Sequence, residues 1–367
     1  VLDDTLLADP RALAALDTGG VLRSAATAGA QVRSAAHAAA EAGLGQLTGS
    51  RPRSLVLLRR PGASGPAAEL LSALLGPSAP IPVLTLDAVP SWIGPLDVMV
   101  AHTADRDDIV LAESVERAVR RGAEVVLSAP GDGPVASAGA GRARLVEPRI
   151  PVPPGLDLPR ALAVGLSVAG ALELTGARLA VGLEPLADHL DAEAERNQPG
   201  HEPFMNPAKS LAMRLDEHTP LLWGVDPLAA AVAGHAAGAL ATHAGVVAHA
   251  AEIGRATAAT ALVRALDRAA TGVDIFHDPF DDGDLPAHLP LRLILLATDE
   301  PEPGQVALRS TGRGWPAADV LHPVEEVPRG VAHAALLRAG LLASRFDVAA
   351  VYLGLATRTI ETAGQEH

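Results

Sequence analysis

Residues 98–111 read VMVAHTADRDDIVL and continue as AESVERAVRRGAEVVLSAP to residue 130. A short apolar run ends in a polar loop, gives way to an amphipathic helical pattern and returns to a second apolar run. That is strand, loop, helix and parallel strand, the repeating unit of an α/β fold. A loop entering a helix start presents free backbone N–H groups and the positive end of a helix dipole, so the ligand it suits is an anion. Asp105, Asp107 and Asp108 already put negative charge at that point.

The same rhythm extends outward in both directions. SLVLLRR (54–60) is a strand that runs into PGASG and a helix ending at Gly76, and IPVLTLDAV (81–89), LDVMVAH (96–102), AEVVLSAP (123–130) and RARLVEPRIPVP (142–153) read as further strands. Strands alternating with helices predict a parallel sheet covered on both faces. Ligands of such sheets sit at the carboxyl ends of the strands, where GASG, AHTADRDD and SAPGDG fall. Upstream, residues 5–46 read as two or three Ala-rich helical segments. Downstream, LPRALAVGLSVAGALEL (158–174) is a long helix, and the chain then runs through LEPLADHLDAEAERN to a Pro-Gly break at 199–200. Asn206 caps a helix that has Pro207 at its first position, where a missing N–H costs nothing. TPLLWGV (219–225) and LPLRLILLATD (289–299) are strands, 227–270 reads as a long Ala-rich helical region, and 331–356 as one or two closing helices. The expected organisation is an N-terminal helical segment over 1–50, an α/β domain over 51–195 and a second over 205–367.

Composition narrows the function classes. Hydrophobic residues make up 49% of the chain and aromatic residues 2%, so the core must be built of Ala, Leu and Val. With 29 Lys and Arg against 43 Asp and Glu the formal charge is −14. No basic run exceeds two residues, as at Arg120-Arg121, so neither nucleic acid nor an anionic membrane is expected as a partner. The absence of cysteine excludes disulfides, thiol catalysis and cysteine-bound zinc. The opening VLDDTLLADPRAL is acidic and amphipathic, unlike a secretory leader, and the apolar stretches are interrupted within 18 positions, so a cytoplasmic protein with no membrane span is expected.

IPVPPGLDLPRAL (150–162), NPAKSLAMRL (206–215), PLLWGVDPLAA (220–230) and DVAAVYLGLA (347–356), in this order and spacing, resemble the bifunctional phosphoglucose/phosphomannose isomerase family. Its members are built from two sugar isomerase (SIS) domains, and the resemblance runs from about residue 50 to 356. It implies an α/β fold of two SIS domains, each a mostly parallel sheet flanked by helices in a three-layer αβα sandwich. It also implies a homodimer, a sugar phosphate or related phosphorylated carbohydrate as ligand, and no cofactor.

Active members of that family interconvert aldose and ketose sugar phosphates through an enediol. This chemistry needs a carboxylate base, a His or Lys to open the ring, a cation near the enediolate and a phosphate cradle. The family's Gly-Gly-Ser loop falls on Gly62-Ala63-Ser64, and its Ser-x-Ser-Gly-x-Thr-Glu-Glu loop on residues 101–108. Thr103 is the hydroxyl retained in the second loop. Arg106 replaces the last Thr and either binds phosphate or pairs with Asp105. Arg160, in Pro159-Arg160-Ala161, stands where the family's enediolate-stabilising Arg does. The ligand-binding candidates that the resemblance implies are therefore Gly62, Ser64, Thr103, Arg106 and Arg160. The base position, by contrast, falls on Thr242, the ring-opening His position on Ala258, and no Lys follows the last motif. The expectation is a sugar-phosphate-binding SIS protein that is catalytically inactive and has a binding or regulatory role. The alternative is an active aldose-ketose isomerase with relocated residues, Glu252 as base and His243 as acid beside Arg160. A purely structural partner is a third reading.

Other constellations carry less. His235, His243 and His249 are spaced by eight and six residues, about 12 and 9 Å along a helix, too far for joint chelation. HDPFDDGD (277–284) lacks the alternation and closing Glu of a calcium loop and reads as a solvated acidic loop. AGAGRA (138–143) precedes a strand and reads as a flexible loop, and no GxxxxGK[ST] motif occurs. No metal site is expected.

Overall fold

The structure, a computed structural model, describes residues 2–174, 183–270, 289–299 and 302–360. The acidic stretch 277–284 lies outside the described residues. The chain opens with α1 (Asp4–Ala8), α2 (Pro10–Leu16), α3 (Val21–Ala25) and α4 (Ala28–Glu41). Asp3 and Asp9 cap the first two, each carboxylate accepting from two N–H groups of the first turn. The strand-helix series follows: β1 (Ser54–Leu58), α5 (Ser64–Leu75), β2 (Val83–Leu86), β3 (Asp97–His102), α6 (Ile109–Arg120), β4 (Glu124–Ser128), α7 (Gly133–Gly139), β5 (Arg144–Val146), then α8 (Leu158–Ala171) and α9 (Glu184–Arg196). The five strands form a parallel sheet in the order β2-β1-β3-β4-β5. β1 and β3 are buried along their whole length, as strands covered on both faces must be.

α6 shows how local signals fix an element. Asp108 caps it by accepting from Leu111 N–H, and Leu111, Ala112, Val115 and Ala118 form its buried stripe. Arg117 and Arg120 in the last turn meet the negative end of its dipole, and Gly122, at φ +83°, turns the chain into β4. The strand expected over 142–153 is only three residues long. Pro148, Pro151, Pro153 and Pro154 have no N–H to give a ladder and end it early.

The second series comprises α10 (Pro207–Leu215), β6 (Thr219–Gly224), α11 (Pro227–Ala244), β7 (His249–Glu252), α12 (Ile253–Ala256), α13 (Thr260–Ala270), β8 (Leu291–Leu296), α14 (Pro303–Thr311), β9 (Asp319–Leu321) and α15 (Ala334–Ala356). Its four strands are again parallel, in the order β7-β6-β8-β9. The continuous helical region expected over 227–270 is interrupted here. Gly245, left-handed at φ +65°, closes α11, and residues 249–252 pair with β6 as a strand. The α/β architecture of two parallel sheets flanked by helices is as expected.

By packing, the chain divides into two compact units, one holding residues 19–196 and 327–344, the other 1–18, 197–326 and 345–367. The helical stretch 1–50 is shared between them. In the second unit Lys209 is fully buried and donates to the carbonyls of Leu7, Pro199 and His201 at 2.6, 2.7 and 2.9 Å, tying the N-terminal helices to α10. α15 has a mean hydropathy of 1.4 over an 18-residue window, and is the only helix among the described residues long and apolar enough to cross a bilayer. It is a core helix: 94% of that window is buried in the protein, and it carries Arg338, Arg345 and Asp347 inward.

Close backbone approach replaces large side chains in this aromatic-poor core. Gly224, at the end of β6, lies so near α11 that a Cβ there would stand 2.1 Å from Ala230 N and 2.4 Å from its Cα. Because the neighbour is backbone, relief requires moving the helix. Gly224→Ala should therefore destabilise by about 3 kcal/mol or more, read as a lowered thermal midpoint by circular dichroism. An unchanged midpoint would mean that α11 does not sit against β6 in this way.

Candidate functional site

In the first sheet the chain runs from β1 out to β2, then returns across β1 to β3 and proceeds the other way. The strand order thus reverses between β1 and β3, and the loops at their carboxyl ends, 59–63 and 103–108, border the crevice where α/β sheets bind ligands. The crevice is bridged by an ion pair. Arg60 Nε and Nη2 donate to Asp108 Oδ2 and Oδ1 at 2.7 and 2.8 Å, with the two side chains 16% and 7% exposed. Asp108 also caps α6, so the helix start that would attract an anion already holds one of its own. Burial would push its carboxyl up, but the hydrogen bonds from Arg60 and Leu111 N–H and the Arg60 charge outweigh it, leaving the group below the ordinary carboxylate range.

All five ligand-binding candidates lie at this carboxyl edge. Gly62 is exposed with φ +81°, leading into α5. Ser64 is buried and donates its hydroxyl to Leu58 O at 3.0 Å. Thr103 is buried too: its Oγ1 accepts from Asp105 N–H at 3.0 Å and its own N–H donates to Ser128 O. Arg106 is exposed and turned sideways. It pairs with Asp132 and stands 3.8 Å from Asp107, while its carbonyl accepts from Val135 N–H, so it serves the loop after β4 rather than the crevice. The partner expected for it, Asp105, instead accepts from Asp107 N–H.

Arg160 opens onto a buried relay that the sequence did not announce. His102, the last residue of β3, stands 2.9 Å by Nδ1 from Ser128 Oγ, at the end of β4, and 2.7 Å by Nε2 from Asp157 Oδ2, just before α8. Arg160 Nη2 donates to the same Oδ2 at 3.1 Å. Burial pushes the His102 imidazole down against the pull of Asp157, so the ring is neutral, with Nε2–H donating to the carboxylate and Nδ1 accepting from Ser128. Burial lowers the Arg160 guanidinium, opposed by the Asp157 charge. Asp157 is itself pushed up by burial, but its hydrogen bond with His102 and the Arg160 charge leave it ionised. Arg160 is thus a charge-balanced cation, not a free one.

The second sheet reverses between β6 and β8 and closes its crevice in the same way. Asp226, mostly buried, caps α11 through Ala229 N–H at 2.7 Å and accepts from Thr298 N–H and Oγ1 at 2.9 and 2.7 Å. The family's base and His positions, Thr242 and Ala258, are exposed. Glu252 ends β7 at the carboxyl edge, 4.0 Å from Arg255. His243 is buried in the last turn of α11, about 24 Å along the axis from the turn that begins at that edge. These two candidates stand at opposite ends of one sheet and form no acid-base pair within it. The histidine trio disperses: His235 bonds Asp347 at 2.7 Å, His249 accepts from Trp223 Nε1 at 3.1 Å, and His243 leaves Nε2 without a partner.

Two outcomes test this arrangement. Arg60→Ala strands a buried carboxylate and should cost about 3 kcal/mol, measured by denaturant unfolding, whereas Arg60→Ala combined with Asp108→Ala should recover part of the loss. For pH, the folded-state pKa of His102 lies below its unfolded value of about 6.5, so between the two the unfolded chain binds a proton that the folded one refuses. Stability from this group is complete above that pH and falls by up to about 1.4 kcal/mol per unit below it. His102→Gln should flatten the loss between pH 6.5 and 5 in a midpoint-versus-pH series, and a parallel curve would show that the ring is protonated in the fold.

Residues 204–357 match the family described as the bacterial phospho-glucose isomerase C-terminal SIS domain. No curated protein matches the chain. Among solved structures it resembles a Silicibacter pomeroyi protein assigned as a phosphosugar isomerase, at 16% identity and TM-score 0.59, over 92% of this chain and 98% of that one. The tagatose-6-phosphate ketose/aldose isomerase of Escherichia coli is similar at 10% identity and TM-score 0.55, over 93% and 92%. The C-terminal domain of glucosamine-fructose-6-phosphate aminotransferase from Francisella tularensis follows at 12% and 0.54, over 91% and 96%. Identities this low speak for the fold alone. With its matched C-terminal domain, its pair of parallel sheets and these neighbours, the chain has the fold of phosphosugar isomerase structures, and its residues 204–357 carry a SIS domain of the bacterial phospho-glucose isomerase C-terminal type.

Proposed function

We propose that this protein binds a phosphorylated carbohydrate at the carboxyl edge of its first sheet and does not isomerise it, acting as a homodimeric binding or regulatory protein. The observation that carries the reading is a contrast between the two helix starts bordering the crevice. α6 is closed by Asp108, whereas α5, twelve residues long and entered through Gly62-Ala63, has no side-chain cap. Its free N–H groups and dipole favour a phosphate there, next to the buried hydroxyl of Ser64. Against turnover stand the residues themselves. A threonine at position 242 and an alanine at 258 take no proton from carbon and open no ring, and losing a positioned acid or base removes about 10²- to 10⁴-fold each.

Thermal shift with glucose 6-phosphate, mannose 6-phosphate and fructose 6-phosphate should stabilise the protein by about 2.7 kcal/mol at a hundred times Kd, with no aldose-ketose exchange by NMR in the same samples. Gly65→Asp has room for its side chain, nothing but Arg60 O lying within 4 Å of the new Cβ. It would put a carboxylate into the first turn of α5 and abolish the shift without lowering the midpoint. Turnover that vanished in Glu252→Gln would replace this reading with the relocated isomerase, and a flat response to all three phosphosugars would end the binding assignment.

A further inference from the structure

Three buried hydrogen-bonding atoms behind the carboxyl edge have no partner, and all belong to groups tied to one turn, residues 156–160. Gln31, on α4, donates through Nε2 to Leu156 O at 3.0 Å and to Thr27 Oγ1 at 3.2 Å, and its Oε1 accepts nothing. The carbonyl at Leu156 decides which end of the amide is nitrogen. Asp157 Oδ2 takes both His102 and Arg160 while Oδ1 takes neither, and Arg160 uses Nη2 while Nε is idle. The three residues are 3%, 2% and 7% exposed. Buried polar atoms of this kind are costly unless something satisfies them.

The chemistry of the three atoms selects the occupant. Two oxygens need hydrogens and one N–H needs a lone pair. A phosphate dianion can receive from Arg160 Nε but has no hydrogen to give, and its charge opposes Asp157. Neighbouring hydroxyl groups give hydrogens and accept one, meeting all three requirements without adding charge to a balanced Asp-Arg pair. We propose that this turn reads the hydroxyl groups of a carbohydrate ligand, with Gln31 and Asp157 as specificity-determining residues and Arg160 donating to a hydroxyl rather than countering a phosphate. This rests on the preceding reading of the carboxyl edge as a phosphosugar site. A phosphate at the start of α5 directs the sugar toward α8, because the two helices lie side by side, with Gly165 so close that a Cβ would meet Leu71 Cδ1 at 2.1 Å.

The test is calorimetric titration of the full chain with inorganic phosphate, glucose 6-phosphate and fructose 6-phosphate. A sugar phosphate should bind the native protein at least about tenfold more tightly than inorganic phosphate, as expected for one or more added hydrogen bonds. Gln31→Met and Asp157→Asn should remove that advantage while leaving inorganic phosphate affinity unchanged, a split that a merely structural role would not produce. Should either variant fail to fold, the native comparison still decides: equal affinity for phosphate and phosphosugar overturns the inference. So does a crystallographic water bridging the three atoms that persists with glucose 6-phosphate bound. If phosphosugars bind with an advantage that both folded variants retain, only this inference falls; if neither phosphate nor phosphosugar binds, the carboxyl-edge assignment falls with it.

Discussion

A carboxylate held at the entrance of a helix supplies, from within the chain, the negative charge that an α/β crevice otherwise draws from a ligand. Asp108 does this between β1 and β3, and Asp226 between β6 and β8. Each closes a helix and is held from the opposite loop, by Arg60 in one sheet and by Thr298 in the other. The strand reversal that makes such a crevice also brings two loops close enough to be bridged. The same geometry that recommends the position for a ligand makes it a natural place for an internal pair. What a ligand could use at the first edge is then set by what these pairs leave over.

That remainder is mostly neutral in net charge. Arg60 is spent on Asp108, Arg160 on Asp157, and Arg106 on Asp132. In a chain with a formal charge of −14, few cations stand idle at the edge. Backbone N–H groups at the start of α5 and the idle Nε of Arg160 are the donors that remain, and these favour a ligand recognised by shape and hydrogen bonding over one captured by long-range attraction.

The fold was largely legible because buried parallel strands are continuous apolar runs, and SLVLL, DVMVAH and LRLILL announce themselves. β7 was not, since HAAE within an Ala-rich stretch carries helical propensity and becomes a strand only by pairing with β6. Proline told against the long fifth strand, and that signal was in the sequence to be used. At the site, local chemistry could be read and distant chemistry could not. An Asp directly before an apolar helical run is a cap signal, so Asp108 was visible. Its partner Arg60 is 48 residues away, Asp157 is 55 from His102, and Thr298 is 72 from Asp226. Such pairs arise from tertiary placement and leave no spacing to find. Arg106 shows the converse: a plausible residue in the right loop, aimed elsewhere by the neighbouring strand's turn.

The division of the chain between its two units has a consequence for how the protein is made. Residues 1–18 pack with segments that follow residue 197, and the stretch 327–344 returns to the unit that begins at residue 19. Neither unit holds all of its segments until α15 has been synthesised. Completion of both is therefore late and dominated by contacts distant in sequence, the regime in which folding is slow and half-formed apolar faces wait exposed. Buried arginines on that last helix then act twice over: Arg338 donates to the Val327 carbonyl and Arg345 pairs with Glu326 in the finished protein, and before that their charges disfavour insertion of a 23-residue apolar helix into a bilayer.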